Sequence, residues 1–485
     1  MLKKLYVHII LLGGNVLRIT KLDFVIRLFK LFNVLLMTAA FGASWFLYYL
    51  DCMPGVKYYR LGHVAVLGLY IFFYISFIRI YNGFHISVSR ISEMIYSQIL
   101  AVLISDGIIY LVICMLCFGF PNILPGLAVI AVQIIISIIW SFVSHKVYFK
   151  FNTPRRTAVI YDAGDDMKML ISEYGLEKKF DVQLVLKDDE CIDNLDVLIG
   201  IQTVFITGIR SSKRNVILKY CIDNGIQVYL KPRVGDAILY GAYQTQLFHR
   251  AVLRADRHSP SPEYVFCKRF MDIVLSLVVL IIISPIMLLT ALSIKLCDGG
   301  PVFYKQCRLT KDGKKFNVLK FRSMRVDAEK DGVARLSTGD KDDRITPIGK
   351  IIRKCRIDEF PQLLNILSGS MSIVGPRPER PEIAAQYEEV LPEFRLRLQV
   401  KAGLTGYAQV YGKYNTTPYD KLQMDLMYIA RASLLKDLEL MFATIKILFV
   451  SESTEGVADG QITAGDIPTA EAEDSLKAIK EKQNI

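Results

Sequence analysis

Apolar and polar positions fall into three regimes along the chain. Over residues 1–150, long apolar runs occupy about 24–50, 63–82, 97–118 and 123–144. Each approaches the ~20 residues that span a hydrocarbon core, so the spacing predicts a four-helix transmembrane bundle. From Thr157 short apolar stretches, TAVIYDAG, FDVQLVLK, TVFITGI and IQVYLKP, alternate with DDMKMLISEYG and KRNVILKYCIDNG, which have helical character. That punctuation predicts a small parallel sheet with helices on its faces, a Rossmann-like α/β domain over 151–240. A connector follows over 241–263, with Pro260 and Pro262 near its end. A fifth apolar run, Ile273 to Ile294, is interrupted by Ser284-Pro285 and opens a third region, 264–451, that reads as mainly helical. The stretch 452–485 is rich in Glu, Asp, Gly, Thr and Ala, and its poverty in large apolar residues predicts a solvated, flexible tail.

Charges at the flanks orient the apolar runs. Lys3, Lys4, Arg18, Lys21, Arg27 and Lys30 crowd the first, Arg79 and Arg90 flank the second-to-third connection, and Lys146, Lys150, Arg155 and Arg156 follow the fourth. The positive-inside rule then places both ends of the bundle in the cytoplasm. The uncharged FPNIL between the third and fourth runs suits an external turn, and no A-x-A site marks a cleavable signal. The fifth run has Lys268 and Arg269 before it and Lys295, Lys305 and Arg308 after it, so cations guard both ends. Pro285 removes a helical hydrogen bond and Ser284 can satisfy the freed backbone, so the expectation is a re-entrant helix over 268–296 that returns to the face it left. A kinked spanning helix is the alternative.

Composition agrees with a membrane protein: 52% of the 485 residues are hydrophobic, and the formal net charge is +12. The positive balance suits anionic head groups and phosphorylated substrates. No recognition helix or aromatic stacking sheet supports a nucleic-acid reading, so no nucleic-acid partner is expected. The nine cysteines are scattered; Cys114 and Cys117 form a C-x-x-C only inside an apolar run, where packing or lipid contact is the simpler role. All six histidines lie at or before His258, so any chemistry beyond Tyr264 falls to carboxylates. The turn after the first strand of the α/β domain holds only Gly164, and Asp165 and Asp166 would repel a pyrophosphate, which favours a structural or regulatory module over a dinucleotide site.

The segment RITPIGKIIRKCRIDEFPQLLNILSGSMSIVGPRPERP, residues 344–381, concentrates the candidate chemistry. Thr346 and Pro347 signal a helix start, and Ile348, Ile351, Ile352 and Cys355 recur at helical spacing among Lys350, Arg353, Lys354 and Arg356. The next helix is expected to begin at Asp358 and stop at Gly369. Asp358 and Glu359 then have two readings: an N-cap with a first-turn acid, or carboxylates that attack phosphorus and hold a divalent metal. Arg344, Arg353 and Arg356 precede the pair, and Arg377 sits in a stiff G-P-R-P turn before Glu379 and Arg380. Several guanidinium groups around one acid pair point to a phosphorylated substrate.

Residues 264–450 resemble the bacterial monotopic phosphoglycosyl transferases, the polyprenyl-phosphate sugar-1-phosphate transferases, and specifically their large members. The resemblance is carried by KRFMDIVLS with the Ser-Pro break, Gln306 and Arg308, GKKFNVLKFRSM, DDRITPIGK, RIDEFPQ, MSIVGPRPERP, VKAGLTGYAQV and KLQMDLMYIARASLLKDLELMFATIKIL. It implies a membrane helical bundle, a Rossmann-like α/β domain and a mainly α monotopic catalytic domain with a re-entrant helix, at the bacterial inner membrane and facing the cytoplasm. It further implies that Asp358 takes the sugar phosphate from a UDP-sugar, releasing UMP, and passes it to polyprenyl (undecaprenyl) phosphate. By the same resemblance Glu359 helps hold Mg2+ and Arg377 contacts phosphate; Lys320, Arg322, Arg344, Arg356 and Arg380 are expected to meet substrate or lipid head groups, with plain surface charge as the alternative, and a homodimer is the family-level expectation. Two positions depart from the family pattern: Ala402 stands where Pro is usual, which predicts a more mobile turn, and Tyr411 stands where Asn is common. The rival readings are a metal-dependent glycosyltransferase built on Asp340, Asp342 and Asp343, which releases UDP, and a membrane scaffold or nucleotide sensor without turnover.

Overall fold

A computed structural model describes residues 24–52, 60–162, 167–325, 344–412 and 416–448. The terminal cations Lys3, Lys4, Arg18 and Lys21, the turn residues Gly164, Asp165 and Asp166, the acids Asp340, Asp342 and Asp343, and the tail 452–485 lie outside the described residues. Two compact units divide the chain, Met1–Leu230 and Lys231–Ile485.

The first unit opens with helices α1 (Phe24–Cys52), α2 (Arg60–Ile80), α3 (Ile91–Leu116) and α4 (Leu124–Phe151), each long and apolar enough to cross a membrane. Their outer faces are bare Leu, Ile and Phe, and polar side chains are turned inward. Tyr74 donates to Asn33 Oδ1 at 2.7 Å, and Gln133 donates to the Tyr70 hydroxyl at 2.8 Å. This partition suits an apolar solvent, where a polar group must find its partner inside the bundle.

The expected α/β pattern is present in the same unit. Strands β1 (Arg155–Tyr161), β2 (Phe180–Lys187), β3 (Thr203–Thr207) and β4 (Gln227–Leu230) form one parallel sheet in the order β2-β1-β3-β4. Helices α5 (Met167–Glu173), α6 (Asp188–Asp193) and α7 (Ser211–Asp223) supply the crossovers. Ala158, Ile160, Val204 and Ile206 fill the core against Ile217 and Cys221 of α7. Residues 231–240, which the sequence pattern attaches to this domain, fall by contact in the second unit. Val234 and Ala237 of α8 (Val234–Leu239) enter its core beside Leu422 and Leu426, because the short helix cannot bury its own apolar face.

The second unit continues with a hairpin of β5 (Tyr243–Leu247) and β6 (Arg250–Arg254) and then α9 (Pro262–Asp298). α9 runs uninterrupted through Pro285, so the Ser-Pro step is no break in the helix itself. The carbonyl of Ile281, which loses its partner because Pro285 has no N–H, accepts instead from Ser284 Oγ at 2.8 Å. One side of α9 packs on its own domain along most of its length: Leu280 and Ile283 meet Val318, Leu363 and Ile366, while Met287, Ala291 and Ile294 meet Phe321 and Ile352. Away from that side, Phe266, Phe270, Leu277, Ile281, Leu288 and Leu292 are bare. Leaving such side chains in water costs about 1.5–3 kcal/mol each, so these positions call for an apolar surrounding.

Beyond α9 come the hairpin β7 (Phe303–Leu309) and β8 (Lys315–Phe321), then α10 (Pro347–Lys354) and α11 (Gln362–Ser368). A parallel pair, β9 (Ser372–Val374) and β10 (Gly403–Thr405), lies among α12 (Pro381–Val390), α13 (Tyr407–Tyr411), α14 (Pro418–Ala430) and α15 (Leu434–Leu448). As the sequence predicts, Thr346 caps α10, its Oγ1 accepting from Gly349 N at 3.0 Å, and Gly369 ends α11 with φ 87°.

Candidate active site

The acid pair sits where α10 hands over to α11. α10 ends at Lys354 with Cys355 as its C-cap, Arg356 adopts the left-handed region (φ 53°), and Ile357–Glu359 form a single 3₁₀ turn before α11 begins at Gln362. The expectation that α11 starts at Asp358 is therefore corrected. Pro361 occupies the N-cap position, with no side-chain cap, and Asp358 caps nothing. The reason lies upstream: Arg356 reverses the chain, and Ile357 anchors the turn in the core with Ile294, Phe321 and Ile352. A non-glycine residue there costs about 1–2 kcal/mol, a strain sustained by the surrounding packing.

Freed from capping, the two carboxylates differ in their surroundings. No hydrogen bond engages Asp358 among the described residues; burial, then the charge of Glu359, push it up to about 6, against the pull of Lys320, Arg353 and Arg377. Burial also works against ionised Glu359, but Arg377 and Lys320 overcome it and hold that carboxyl well below its usual range. Arg377 Nη2 donates to Glu359 Oε1 at 2.9 Å, and Lys320 Nζ lies 3.6 Å from the same oxygen. A raised acid beside a depressed one leaves Asp358 an uncommitted carboxyl group and Glu359 a fixed negative charge.

Arg377 reaches the pair from a loop with close backbone packing. Gly375 N donates to Thr405 O at 2.9 Å and Gly403 N to Pro376 O at 2.9 Å. A Cβ on Gly375 would run into the Lys401 carbonyl and Gly403 nitrogen, so glycine is required by the approach itself. Farther along, Arg308 donates to Pro378 O at 3.0 Å and Arg397 to Arg377 O at 2.9 Å. Arg397 is itself paired with Asp425 at 2.7 Å.

The other predicted cations divide. Arg356 and Arg353 add positive potential at the acids, as Lys320 does. Arg322 is buried with its guanidinium against Gly300, at the far end of α9. Arg344 borders the undescribed segment, its carbonyl accepting from Arg325 N, and Arg380 opens α12 near Arg308. The turn around Ala402 is tight: Ala402 is buried, its N–H donates to Thr310 Oγ1 at 3.1 Å, and its carbonyl accepts from Ser372 N. Ala402 thus uses a backbone N–H that proline would lack to tie the turn to Thr310. Tyr411 donates to Glu439 Oε1 at 3.1 Å. Arg397 is not foreshadowed by its EFRLRLQ context, which carries no turn or motif signal.

No third His, Cys, Asp or Glu joins the pair into a metal-binding group among the described residues. Mg2+ is commonly held by one or two carboxylates together with substrate phosphates, and an unbonded Asp358 beside Glu359 fits that donor set.

The model of the family described as bacterial sugar transferase matches residues 263–451. The chain is 41% identical over 192 residues to a UDP-N-acetylgalactosamine-undecaprenyl-phosphate N-acetylgalactosaminephosphotransferase of Aeromonas hydrophila, covering 39% of this chain and 45% of that protein. It is 40% identical over 191 residues to a UDP-glucose:undecaprenyl-phosphate glucose-1-phosphate transferase of Escherichia coli, covering 38% and 41%. It is 42% identical over 198 residues to the exopolysaccharide production protein PSS of Rhizobium leguminosarum, covering 39% of this chain and 96% of that one. The matched part thus spans less than half the length of the first two relatives and nearly all of the third.

Proposed function

The chain belongs to the bacterial sugar transferase family, and from that premise we propose that it transfers a sugar-1-phosphate from a UDP-sugar to polyprenyl (undecaprenyl) phosphate. The observation that carries the reading is the division of the acid pair, with the Asp358 carboxyl raised and without a side-chain hydrogen bond among the described residues, and Glu359 neutralised by Arg377 and Lys320. In the first half-reaction an Asp358 oxygen attacks the phosphorus bearing the sugar. Its bond to the bridging oxygen breaks, UMP leaves with that oxygen, and an aspartyl phospho-sugar remains. In the second, a phosphate oxygen of the polyprenyl carrier attacks the same phosphorus and regenerates Asp358, giving polyprenyl diphosphate-sugar. Arg377 and Lys320 offset charge developing on the phosphoryl oxygens. Glu359, with Asp358 before it reacts, would hold Mg2+, which supplies further charge neutralisation on the diphosphate.

The reaction belongs at the cytoplasmic face of the bacterial inner membrane, as a first membrane step in exopolysaccharide, capsule, O-antigen or glycoprotein glycan assembly. Support comes from α9. Lys268 near its start and Ile294 near its end both bind the same globular domain, which favours both ends lying on one side of the bilayer. Re-entry would then be made by one continuous helix with Pro285 inside it.

Nucleotide release from UDP-sugars by the purified protein, with polyprenol phosphate and Mg2+, tests the reading. UMP that disappears in Asp358→Asn is expected. UDP as the product would replace the reading with sugar-only transfer, and no nucleotide from any donor would replace it with a scaffold.

A further inference from the structure

We propose that Lys268, near the base of α9, is a positioning residue for Arg377. The inference rests on the reading of Arg377 as the group that meets the substrate phosphate. Arg377 reaches out from its loop, so its aim depends on the backbone of 374–378. Three cations grip that backbone at three carbonyls: Lys268 Nζ at Val374 O (3.2 Å), Arg397 at Arg377 O (2.9 Å) and Arg308 at Pro378 O (3.0 Å). Arg308 and Arg397 come from β7 and the turn Pro392–Gln399, whereas Lys268 comes from the helix that carries the bare apolar residues.

Lys268 has no slack. Its ammonium donates to Asp437 Oδ2 at 2.7 Å, to the Tyr428 hydroxyl at 3.3 Å and to Val374 O, which uses all three of its protons. Asp437 is fully buried and accepts also from Tyr264 at 3.0 Å and Tyr428 at 2.7 Å. The next turn of α9 extends the grip. Arg269 donates to Ile366 O at 2.6 Å and Leu367 O at 2.7 Å in α11, and Asp272 Oδ1 accepts from Ile373 N at 3.1 Å in β9. α11 follows the acid pair and β9 leads into the Arg377 loop. A short stretch of α9 therefore holds the strand before the arginine and the helix after the carboxylates.

A buried ion pair that only stabilises can be replaced by apolar side chains at little cost, while a positioning pair cannot. The decisive variant is Lys268→Met with Asp437→Leu, which leaves no unpaired charge. With the full chain in lipid nanodiscs, amide exchange in 375–380 is expected to rise while the β7–β8 hairpin stays protected. kcat for UMP release should fall about 10- to 100-fold with a smaller change in KM, and no further loss should appear when the variant is combined with Arg377→Ala. Tyr428→Phe, which removes one partner of the ammonium without stranding a charge, is the milder variant and should raise exchange in the same amides. Unchanged exchange in 375–380 in both variants, or losses that multiply with that of Arg377→Ala, would overturn the proposal. If the wild type releases no UMP, the reaction reading fails, and the exchange measurement still decides the role of Lys268.

Discussion

The four-stranded parallel sheet of residues 155–230 and the two-stranded pair β9–β10 use glycine and charge in different ways. The larger sheet has the topology of many nucleotide-binding proteins, yet Lys213 on one of its crossover helices is matched by acids on another. Lys213 lies 3.0 Å from Asp188 and 2.6 Å from Asp189. The smaller pair has strands of three residues, but Gly375, Gly403 and Gly406 let its backbones interlock, and the loop it launches brings Arg377 to Glu359. Architecture and site are separable: the candidate site lies where Asp358, without a side-chain partner among the described residues, sits beside the paired Glu359, whatever the size of the sheet.

The largest effect should come from exchanging one charge in each region. Arg377→Ala is expected to slow nucleotide release about 10²- to 10³-fold, whereas Lys213→Ala should leave the rate within about twofold. Steady-state assays of the two variants side by side check this, and comparable losses would erase the contrast.

A pH profile sharpens it next. As the proposed nucleophile, Asp358 would attack only when ionised; burial, with Glu359 beside it, raises its carboxyl to about 6, so the rate should fall roughly tenfold per unit as pH drops below that value. Arg377 favours the ionised form, so in Arg377→Ala the acid limb should move to higher pH. A limb at the pH of an ordinary aspartate would show that the site is wetter than its packing implies.

Smaller effects test the scaffolding of the small sheet. Thr310 Oγ1 accepts from Ala402 N and donates to Ser370 O, so Thr310→Val strands a buried N–H and should cost about 1–3 kcal/mol in a chemical denaturation series. The smallest change is expected from Arg356→Gly. Relief of the left-handed backbone should raise stability by about 1 kcal/mol, even as the site loses one positive charge.

Local sequence was enough for those features whose cause is local. Runs of about 20 apolar residues can only be helices in lipid, and the period of short strands and helices foretells a parallel α/β sheet because each element must bury one face. The start of α10 at Thr346-Pro347, the stop of α11 at Gly369 and the repair of the Pro285 gap by Ser284 follow from side chains within four residues of the backbone they serve. Tertiary structure alone decided the rest. Asp358 reads as a helix cap until the left-handed Arg356 and the packing of Ile357 place it on a 3₁₀ turn instead. Lys268 and Asp437 are 169 positions apart, and Arg397 reaches a carbonyl 20 positions away. Nothing in a residue's own neighbourhood names a distant partner, because a charge is indifferent to sequence and responds only to what the folded chain brings within a few ångströms.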